Sequence, residues 1–309
     1  MENNNKNMIT NPLTKTTNIK LIESISANSI IKNYQEQLQI SVKDYFQGLK
    51  TIKLYECHDT GYKFFYPPKI MGDEKFYEKL SKFPWYYMNW KWEHDIVNNI
   101  INKENKILEI GCAKGGFLEK IKLRNKQVVG LEFNKKAIKN CRQRGLNVFN
   151  QTIQEHSKNN KNCYDIVCSF QVAEHIPNIN EFIQSSIDCL KPGGKLIISV
   201  PNNDTEMLDN SALNTPPHHI NLFNINSLIK IQNYFNIKVD SFYIEPLQKY
   251  HTGFYRKEIK TKLSQKLKKK FKVFSPLLQP FANRIADFVI RSLSKHIIGH
   301  TILFIYTKE

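Results

Sequence analysis

The sequence lacks several features that mark common protein classes. In its 309 residues, no apolar run approaches the ~18 residues of a membrane-spanning helix. The asparagine-rich first eleven residues lack the apolar stretch of a secretory signal. None of the six cysteines forms a CxxC pair, and no histidine and cysteine cluster has zinc-site spacing. These absences predict a cytoplasmic, reduced protein without a metal ion.

Acidic residues are scarce relative to basic ones. The chain has 28 Asp and Glu against 45 Lys and Arg, a formal net charge of +17. This excess suits an anionic partner such as nucleic acid, anionic lipid or a phosphorylated substrate, but a general over-use of Lys, Asn and Ile explains most of it equally well. Basic residues are more concentrated in the segment from Arg256 to Lys272 than in the rest of the chain: it has nine basic residues and one acid, Glu258. No RRM, KH or zinc-knuckle pattern accompanies the charge, so nucleic acid is not expected as a partner.

The distribution of residue types predicts five segments. The first is a polar tail leading into a short helix at 32–47. The second holds thirteen Phe, Tyr and Trp residues and forms a cap. The cap is either a small aromatic core against the main domain or a cover over a substrate site, because aromatic faces suit sugars and rings. The predicted segments are 1–48 (tail and helix), 49–92 (cap), 93–250 (main domain), 251–298 (basic helical insertion) and 299–309 (final strand).

Apolar runs and helical patterns alternate through the main domain. Most of the runs before residue 202 lack strict alternation, as expected for strands buried on both faces of a sheet. The order of strand, helix and strand implies a parallel sheet with right-handed crossovers, and therefore a doubly wound α/β fold. The predicted strands are 106–112, 127–133, 146–151, 164–170, 195–201, 237–245 and 299–309, and the predicted helices are 92–102, 117–123, 135–144, 179–190 and 225–235.

Two motifs indicate a nucleoside-bearing ligand. A strand leads into the small-residue turn Gly111-Cys-Ala113-Lys-Gly115-Gly116 and then into a helix. Such a turn lets the backbone approach a ligand, and the helix N-terminus offers free N–H groups. Glu132 ends the next strand, 21 residues after Gly111, where a carboxylate can accept both ribose hydroxyls. These two motifs fit NAD and S-adenosylmethionine (SAM) equally.

Two further motifs separate these cofactors. YDIVCSFQVAEHI spans 164–176, and LKPGGKLIISVPN spans 190–202. Together with ILEIGCAKGGF and VVGLEF they resemble the class I SAM-dependent methyltransferases of the methyltransferase-domain group. The ending IKVDSFYIEP…GHTILFIYTKE resembles that family's last two strands, of which the seventh is antiparallel and inserted beside the fifth. The resemblance implies a Rossmann-like, seven-stranded, mostly parallel sheet with SAM as the cofactor.

The resemblance also implies which residues hold the cofactor. Ala113 replaces the family's usual central glycine of the loop. Gln151, Thr152 and Ile153 stand where an acidic residue usually follows the third strand, and Ile153 is expected to pack on the adenine. Cofactor contacts are predicted for Glu109, Gly111, Cys112, Ala113, Gly115, Glu132, Phe133, Ile153 and Gln171.

Histidines stand at two places suited to catalysis. Methyl transfer to a hydroxyl needs a base within hydrogen-bond reach, and histidine suits that task near neutral pH. His175 follows the fourth strand of the family pattern, and His218 and His219 follow the fifth, so both loops leave the ligand-binding edge of the sheet. We predict His219 as base or substrate ligand and His175 as the second choice. Alternatively these histidines only brace their loops. Glu174 is expected to organise its loop.

The aromatic segment suggests the acceptor. CHDTGYKFFYPP…FYEKLSKFPWYYMNWKWEH resembles the leader of methyltransferases found in bacterial surface-polysaccharide and sugar-modification gene sets. Some of these relatives bind zinc there through cysteines, but only Cys57 is present here, so no zinc is predicted. The resemblance implies a small-molecule acceptor, specifically a hydroxyl of a sugar or glycan. The alternatives are a quinone or other lipid-like aromatic acceptor, RNA, which the absence of an Asn/Asp-Pro-Pro-Tyr signature disfavours, and a non-catalytic SAM-binding homologue.

A second feature of the basic insertion is an apolar stripe. The stripe either packs as an ordinary helix or, with the lysines before it, lies on anionic lipid at the inner membrane face. Peripheral membrane contact through 255–298 would suit a lipid-linked sugar acceptor. The stripe consists of Leu278, Phe281, Ile285, Phe288, Val289 and Leu293.

Overall fold

A computed structural model of the chain describes residues 9–125, 127–205, 208, 211–271, 284, 285, 287, 288, 292 and 298–309. These residues form two β-sheets with helices packed around the larger one. The strands are β1 (Ile19–Ser26), β2 (Thr51–Cys57), β3 (Lys63–Tyr66), β4 (Ile107–Ile110), β5 (Val128–Leu131), β6 (Val148–Phe149), β7 (Tyr164–Phe170), β8 (Leu190–Pro201), β9 (Asn221–Leu222), β10 (Ile237–Pro246) and β11 (Ile298–Lys308). The α-helices are α1 (Ala27–Leu38), α2 (Glu74–Leu80), α3 (Trp92–Ile100), α4 (Gly116–Lys122), α5 (Lys135–Gln143), α6 (Ile153–Ser157), α7 (Ile179–Cys189), α8 (Ile225–Lys230) and α9 (Thr252–Phe271).

The larger sheet confirms the predicted fold class. Its seven strands lie in the order β10-β11-β8-β7-β4-β5-β6. The neighbours from β8 to β6 are parallel, whereas β11 runs antiparallel to both β8 and β10. Every side chain of β4 and β5 is buried, because helices cover both faces of the sheet, and this explains the absence of alternation in their sequences.

Some element boundaries differ from the sequence prediction. The helix predicted at 32–47 is instead α1, which starts earlier and ends where Gln39 takes a left-handed conformation with φ of 57°. A separate 3₁₀ turn, Lys43–Phe46, follows it. The strand predicted from residue 195 is β8, which starts at Leu190 because its first residue already pairs with Tyr164 of β7.

The sequence analysis predicted none of the four strands of the smaller sheet. Its antiparallel strands lie in the order β1-β2-β3-β9, so it joins the predicted tail, the aromatic segment and the main domain. No side chain of β1 is fully buried, and an exposed edge strand shows no apolar alternation. The predicted boundary at residue 48 therefore runs between two paired strands of one sheet.

An aromatic cluster packs the smaller sheet and its helices against the loop that follows β8. Phe76 of α2 is 1% exposed, and its ring centre lies 6.0, 5.9 and 5.4 Å from those of Tyr34, Tyr45 and Tyr77. The ring of His218 lies 6.0 Å from the same Phe76 ring. The cluster thus holds a histidine loop of the main domain in place.

Asn221 of β9 connects the smaller sheet to the loop after β7. The buried hydroxyl of Tyr62 donates a hydrogen bond of 2.5 Å to Asn221 Oδ1. Asn221 Nδ2 donates to the carbonyls of Ala173 and Ile176 at 2.9 and 2.8 Å. Since the amide is 2% exposed, these three bonds replace water as its partners and fix the loop that carries Glu174.

The basic insertion is described only in part. The α9 helix includes seven lysines of the insertion, from Lys257 to Lys270. The apolar stripe lies mostly outside the described residues: only Ile285 and Phe288 are described, and Phe288 is 65% exposed. Among the described residues, no helix combines the length and the apolar character that crossing a bilayer requires. Contact of this segment with a membrane surface stays a prediction.

Replacing Asn221 with alanine will destabilise the fold by about 2–3 kcal/mol, because two carbonyls and the buried Tyr62 hydroxyl lose their partner. Urea denaturation followed by tryptophan fluorescence measures the change. Tyr62→Phe, which removes only one of the three bonds, should cost about 1 kcal/mol. Equal losses for the two variants would show that the Asn221 amide does not hold the loop after β7.

Candidate active site

The turn after β4 has an unusual backbone conformation. Gly111, Ala113 and Gly115 all have positive φ values, of 74°, 46° and 74°. A Cβ atom on Gly111 would lie 2.6 Å from Val172 Cγ2, and one on Gly116 would lie 2.3 Å from the backbone oxygen of Asn89. The turn therefore fits closely between the loop after β7 and the end of the aromatic segment.

The Glu132 carboxylate closes this turn. Its Oε2 accepts from the Ala113 amide at 2.8 Å, and its Oε1 accepts from the amides of Phe133 and Asn134 at 2.8 Å each. Asn134 in turn caps α5 by accepting from two amides of its first turn. A carboxylate offers about four lone-pair sites, so one site on Oε2 stays available for a ligand hydroxyl.

The other predicted cofactor residues differ in accessibility. Phe133 is 61% exposed beside Glu132, whereas Ile153 is 2% exposed within the main core and offers almost no surface to an adenine. Gln171, after β7, donates to Ser199 Oγ at 3.3 Å. Glu109 of β4 is buried, its Oε2 has no hydrogen-bond partner, and burial with the nearby Glu132 raises its pKa to about 8.

The structure brings the predicted catalytic histidines together. The ring centres of His175 and His219 lie 5.2 Å apart, and His218 lies 4.6 Å from His175 and 4.4 Å from His219. One nitrogen of each ring lies within 4.8 Å of those of the others, so the three could hold a metal ion. Burial lowers the pKa of His175 to about 4, and lowers the pKa values of His218 and His219 well below their usual range. All three imidazoles are therefore neutral near pH 7.

Hydrogen bonds fix which ring nitrogen carries the proton. Nδ1 of His175 lies 2.6 Å from the His218 carbonyl, and Nδ1 of His218 lies 3.0 Å from the Leu213 carbonyl. Because a carbonyl only accepts, both Nδ1 atoms donate and both Nε2 atoms keep a lone pair. Nδ1 of His219 bonds Asn214 Oδ1 at 3.2 Å and follows the same pattern. His218 Nε2 already accepts from the Tyr86 hydroxyl at 2.8 Å, which leaves His175 and His219 with available basic nitrogens.

Glu174 lies beside this histidine cluster. Its side chain is 1% exposed, neither carboxyl oxygen has a hydrogen-bond partner, and Oε1 lies 3.8 Å from His175 Nε2. Burial raises its pKa to about 8. Its backbone carbonyl accepts from the Ile220 amide at 3.0 Å, which ties the loop after β7 to the chain entering β9.

Sequence reasoning missed two charged residues at the same sheet edge. Glu93 of α3 is 2% exposed, lies 3.9 Å from Lys91 Nζ and bonds Ser199 Oγ at 3.4 Å. Lys91 exerts an electrostatic influence on Glu109, Glu174 and Glu245 alike, so it is a shared counter-charge for these buried acids. Both residues lie in the aromatic NWKWEH stretch, whose only sequence signal is a charge pair within an aromatic run.

The contribution of Glu174 to the free energy of unfolding will decrease as the pH rises. Its folded-state pKa of about 8 lies above the unfolded value, so folding favours its protonated form and this contribution is lost between about pH 5 and pH 8. From about pH 6.5 to pH 8, the free energy of unfolding of the wild type should fall more steeply than that of Glu174→Gln, by up to about 1.4 kcal/mol per pH unit. Urea denaturation across this range measures both slopes. The exposed Glu104 supplies the control variant Glu104→Gln, and identical slopes for all three proteins would contradict a buried, protonated Glu174.

Comparison with known proteins agrees with this geometry. A family model described as "Methyltransferase domain" matches residues 85–241, about half of the chain. The ubiquinone biosynthesis O-methyltransferase of Vibrio cholerae is 27% identical over 121 residues, which cover 36% of this chain and 49% of that protein. The corresponding enzyme of Aliivibrio fischeri is 29% identical over 114 residues, covering 35% and 48%.

The match to these relatives is partial, since the chain spans about half the length of the curated relatives it matches. A SAM-dependent methyltransferase from Archaeoglobus fulgidus has the same fold, with a TM-score of 0.50 and 19% identity, covering 76% of this chain and all of that one. The family model, the strand order and the glycine turn closed by a carboxylate agree with one another. This chain belongs to the methyltransferase-domain family, whose cofactor is SAM.

Proposed function

We propose that this protein transfers a methyl group from SAM to a small-molecule acceptor, specifically a hydroxyl of a sugar or glycan. The observation that carries the proposal is the meeting of two features at one sheet edge: the turn closed by Glu132 and the buried pair of basic nitrogens on His175 and His219. When bound, SAM supplies an electrophilic methyl group on a sulfonium. The acceptor then needs orientation and a place for its proton.

The donor side of the site suits a nucleoside attached to a cation. The remaining lone-pair site of Glu132 can accept from one ribose hydroxyl, and the exposed Phe133 ring offers a face for the adenine. Glu109 and Glu93 are buried at the neighbouring strand and helix. Ionised carboxylates in poorly solvated surroundings attract a positively charged sulfonium, and such a cation would in turn favour the ionised form of Glu109.

The acceptor side offers a base. His219 Nε2 keeps its lone pair because Nδ1 bonds Asn214. It could therefore take the acceptor proton while the hydroxyl oxygen bonded to the methyl carbon and the carbon–sulfur bond of the donor broke, releasing the neutral thioether. The low pKa of the buried ring is compatible with this role, since the imidazole is neutral before the reaction. His175 has the same tautomer and is the second candidate.

Polar groups around the histidines favour a polyhydroxylated acceptor. Both oxygens of the Glu174 carboxyl lack partners, and hydroxyl groups would supply them. The rings of Tyr77 and Tyr86 lie 5.6 Å from His175 and His218, respectively, and can face a sugar ring. The second candidate acceptor is a quinone-like aromatic, which the similarity to ubiquinone biosynthesis O-methyltransferases favours.

Replacing Glu132 with alanine will weaken SAM binding about 100-fold or more, because the ligand loses its acceptor and the Ala113 amide loses its partner. Isothermal titration of the purified protein with SAM, and with its demethylated product, measures the affinity. Glu119→Ala, which changes an exposed acid of the adjacent helix, should bind like the wild type. If the wild type bound neither ligand, the proposed donor site would be wrong.

Replacing His219 with alanine will leave SAM affinity unchanged and lower the rate of methyl transfer by about 10²–10⁴-fold, because the acceptor proton loses its base. Methyl-labelled SAM is incubated with separate polysaccharide, lipid and RNA fractions of the source cells, and the rate is measured in the fraction that takes up label. His175→Ala, run in parallel, shows which of the two rings acts as the base.

The fraction that takes up label tests the acceptor. Label in polysaccharide or in soluble sugars supports the proposed acceptor, and label in the lipid extract supports the quinone-like alternative. Label in RNA would contradict both. Binding of SAM with no labelled fraction would indicate a non-catalytic SAM-binding protein.

A further inference from the structure

A second cluster of metal-ligating side chains lies where β10 and β11 meet. Glu245 stands near the end of β10, His251 ends the 3₁₀ turn Lys249–His251 that follows it, and His300 lies near the start of β11. The ladder between these antiparallel strands is irregular between Ile244 and Pro246, which displaces Glu245 from regular pairing. All three residues therefore lie at the sheet edge that carries the proposed active site.

A close backbone approach brings the two strands together at this point. A Cβ atom on Gly299 would lie 2.3 Å from the backbone oxygen of Glu245, so only glycine leaves room for β11 beside Glu245. His300, the next residue, is thereby placed next to the Glu245 side chain. The glycine explains how two strands with an irregular ladder can present a carboxylate and an imidazole to the same point.

The donor atoms converge as they do around a bound metal. One ligand atom from each of Glu245, His251 and His300 lies within 4.8 Å of the others, and His251 Nε2 lies 3.7 Å from Glu245 Oε1. Two ligands about 2.1 Å from a tetrahedral metal ion lie about 3.4 Å apart.

Two of the converging groups have unused hydrogen-bonding capacity. Glu245 is 1% exposed, and its Oε2 has no hydrogen-bond partner; the same is true of Nδ1 of His300. Oε1 of Glu245 accepts from the Tyr250 hydroxyl at 3.0 Å, a bond that orients the carboxylate. The cluster of His175, His218 and His219 differs, because the His218 Nε2 atom already accepts a hydrogen bond from the Tyr86 hydroxyl.

We propose that Glu245, His251 and His300 bind one divalent transition-metal ion of the Zn²⁺ type. Two imidazoles and one carboxylate are a donor set that suits Zn²⁺ better than Mg²⁺ or Ca²⁺, which prefer oxygen ligands. Three protein ligands leave a coordination position open. Sequence analysis predicted no metal, because these ligands are 6 and 49 residues apart and match no metal-binding spacing.

The open position gives the site a role that rests on the proposed function. Hydrogen bonds connect the two clusters. The Asn202 amide donates to the His300 carbonyl at 2.8 Å. Asn214 bonds both Asn203, at 2.9 Å, and Nδ1 of His219, at 3.2 Å. The metal-ligating cluster therefore lies near the proposed base. A hydroxyl oxygen bound to Zn²⁺ loses its proton more readily than a free one. The metal would therefore hold an acceptor oxygen near His219.

Metal binding is tested without any methylation assay. The purified full-length protein is stripped with a chelator and titrated with Zn²⁺ against a chromogenic chelator, and the metal content is measured by mass spectrometry. We expect one tightly bound ion per chain. Glu245→Gln, His251→Ala and His300→Ala should each weaken binding by more than about 100-fold, and Tyr250→Phe by about 10-fold. His58→Ala, which changes an exposed histidine, should bind like the wild type.

Spectra of the Co²⁺-loaded wild type provide a test that needs no variant to fold. Four-coordinate Co²⁺ with nitrogen and oxygen ligands gives visible d–d bands without a thiolate charge-transfer band. Absence of a bound ion in the wild type, a thiolate band, or binding that is lost in His218→Ala and kept in folded His251→Ala would each overturn the proposal. SAM affinity of the stripped protein is measured separately, so failure of the metal site and failure of the donor site are distinguishable.

Discussion

The proposed donor site depends on the hydrogen bonds that the Glu132 carboxylate accepts. It accepts from three backbone amides, one in the turn after β4 and two in the loop after β5, and so it joins the ends of two parallel strands. These bonds compensate the unfavourable left-handed conformation of Ala113. Because the turn is closed, Val172 can pack against Gly111 and the Asn89 carbonyl can lie on Gly116. The loop is thus held in shape by the protein itself.

The central fold was predictable because its strands are buried on both faces. Such strands appear in the sequence as unbroken apolar runs. The position of the antiparallel last strand was implied by the resemblance of the chain's ending to the last two strands of the family. The edge strand β1 was not predictable, since its side chains are mostly exposed and its sequence shows no alternation of apolar and polar residues. The two-residue strand β9 is too short to produce any pattern, although its Asn221 links the smaller sheet to the loop after β7.

Of the candidate site, the sequence predicted only the residues that directly follow a strand of the parallel sheet. His175 and His219 follow strands of the parallel sheet, and the chain topology brings such loop residues to one edge. Other residues reach the same edge from distant parts of the chain. Lys91 and Glu93 lie at the start of α3, Glu245 lies near the end of β10, and His300 lies near the start of β11. Their sequence separation is large, so only the folded chain reveals that they are neighbours. The net charge of +17 also conceals the buried glutamates at this edge, of which Glu93 lies 3.9 Å from Lys91 Nζ.

The contact between Gly116 and Asn89 constrains how this protein can be recombined with its relatives. A methyl group at position 116 would overlap the backbone oxygen of Asn89, so the glycine turn and the end of the aromatic segment form one fitted surface. A chimera that takes its N-terminal segment from one homologue and its SAM-binding core from another would have to transfer both sides of this contact together. The natural crossover point therefore lies beyond α4 (Gly116–Lys122), well inside the main domain.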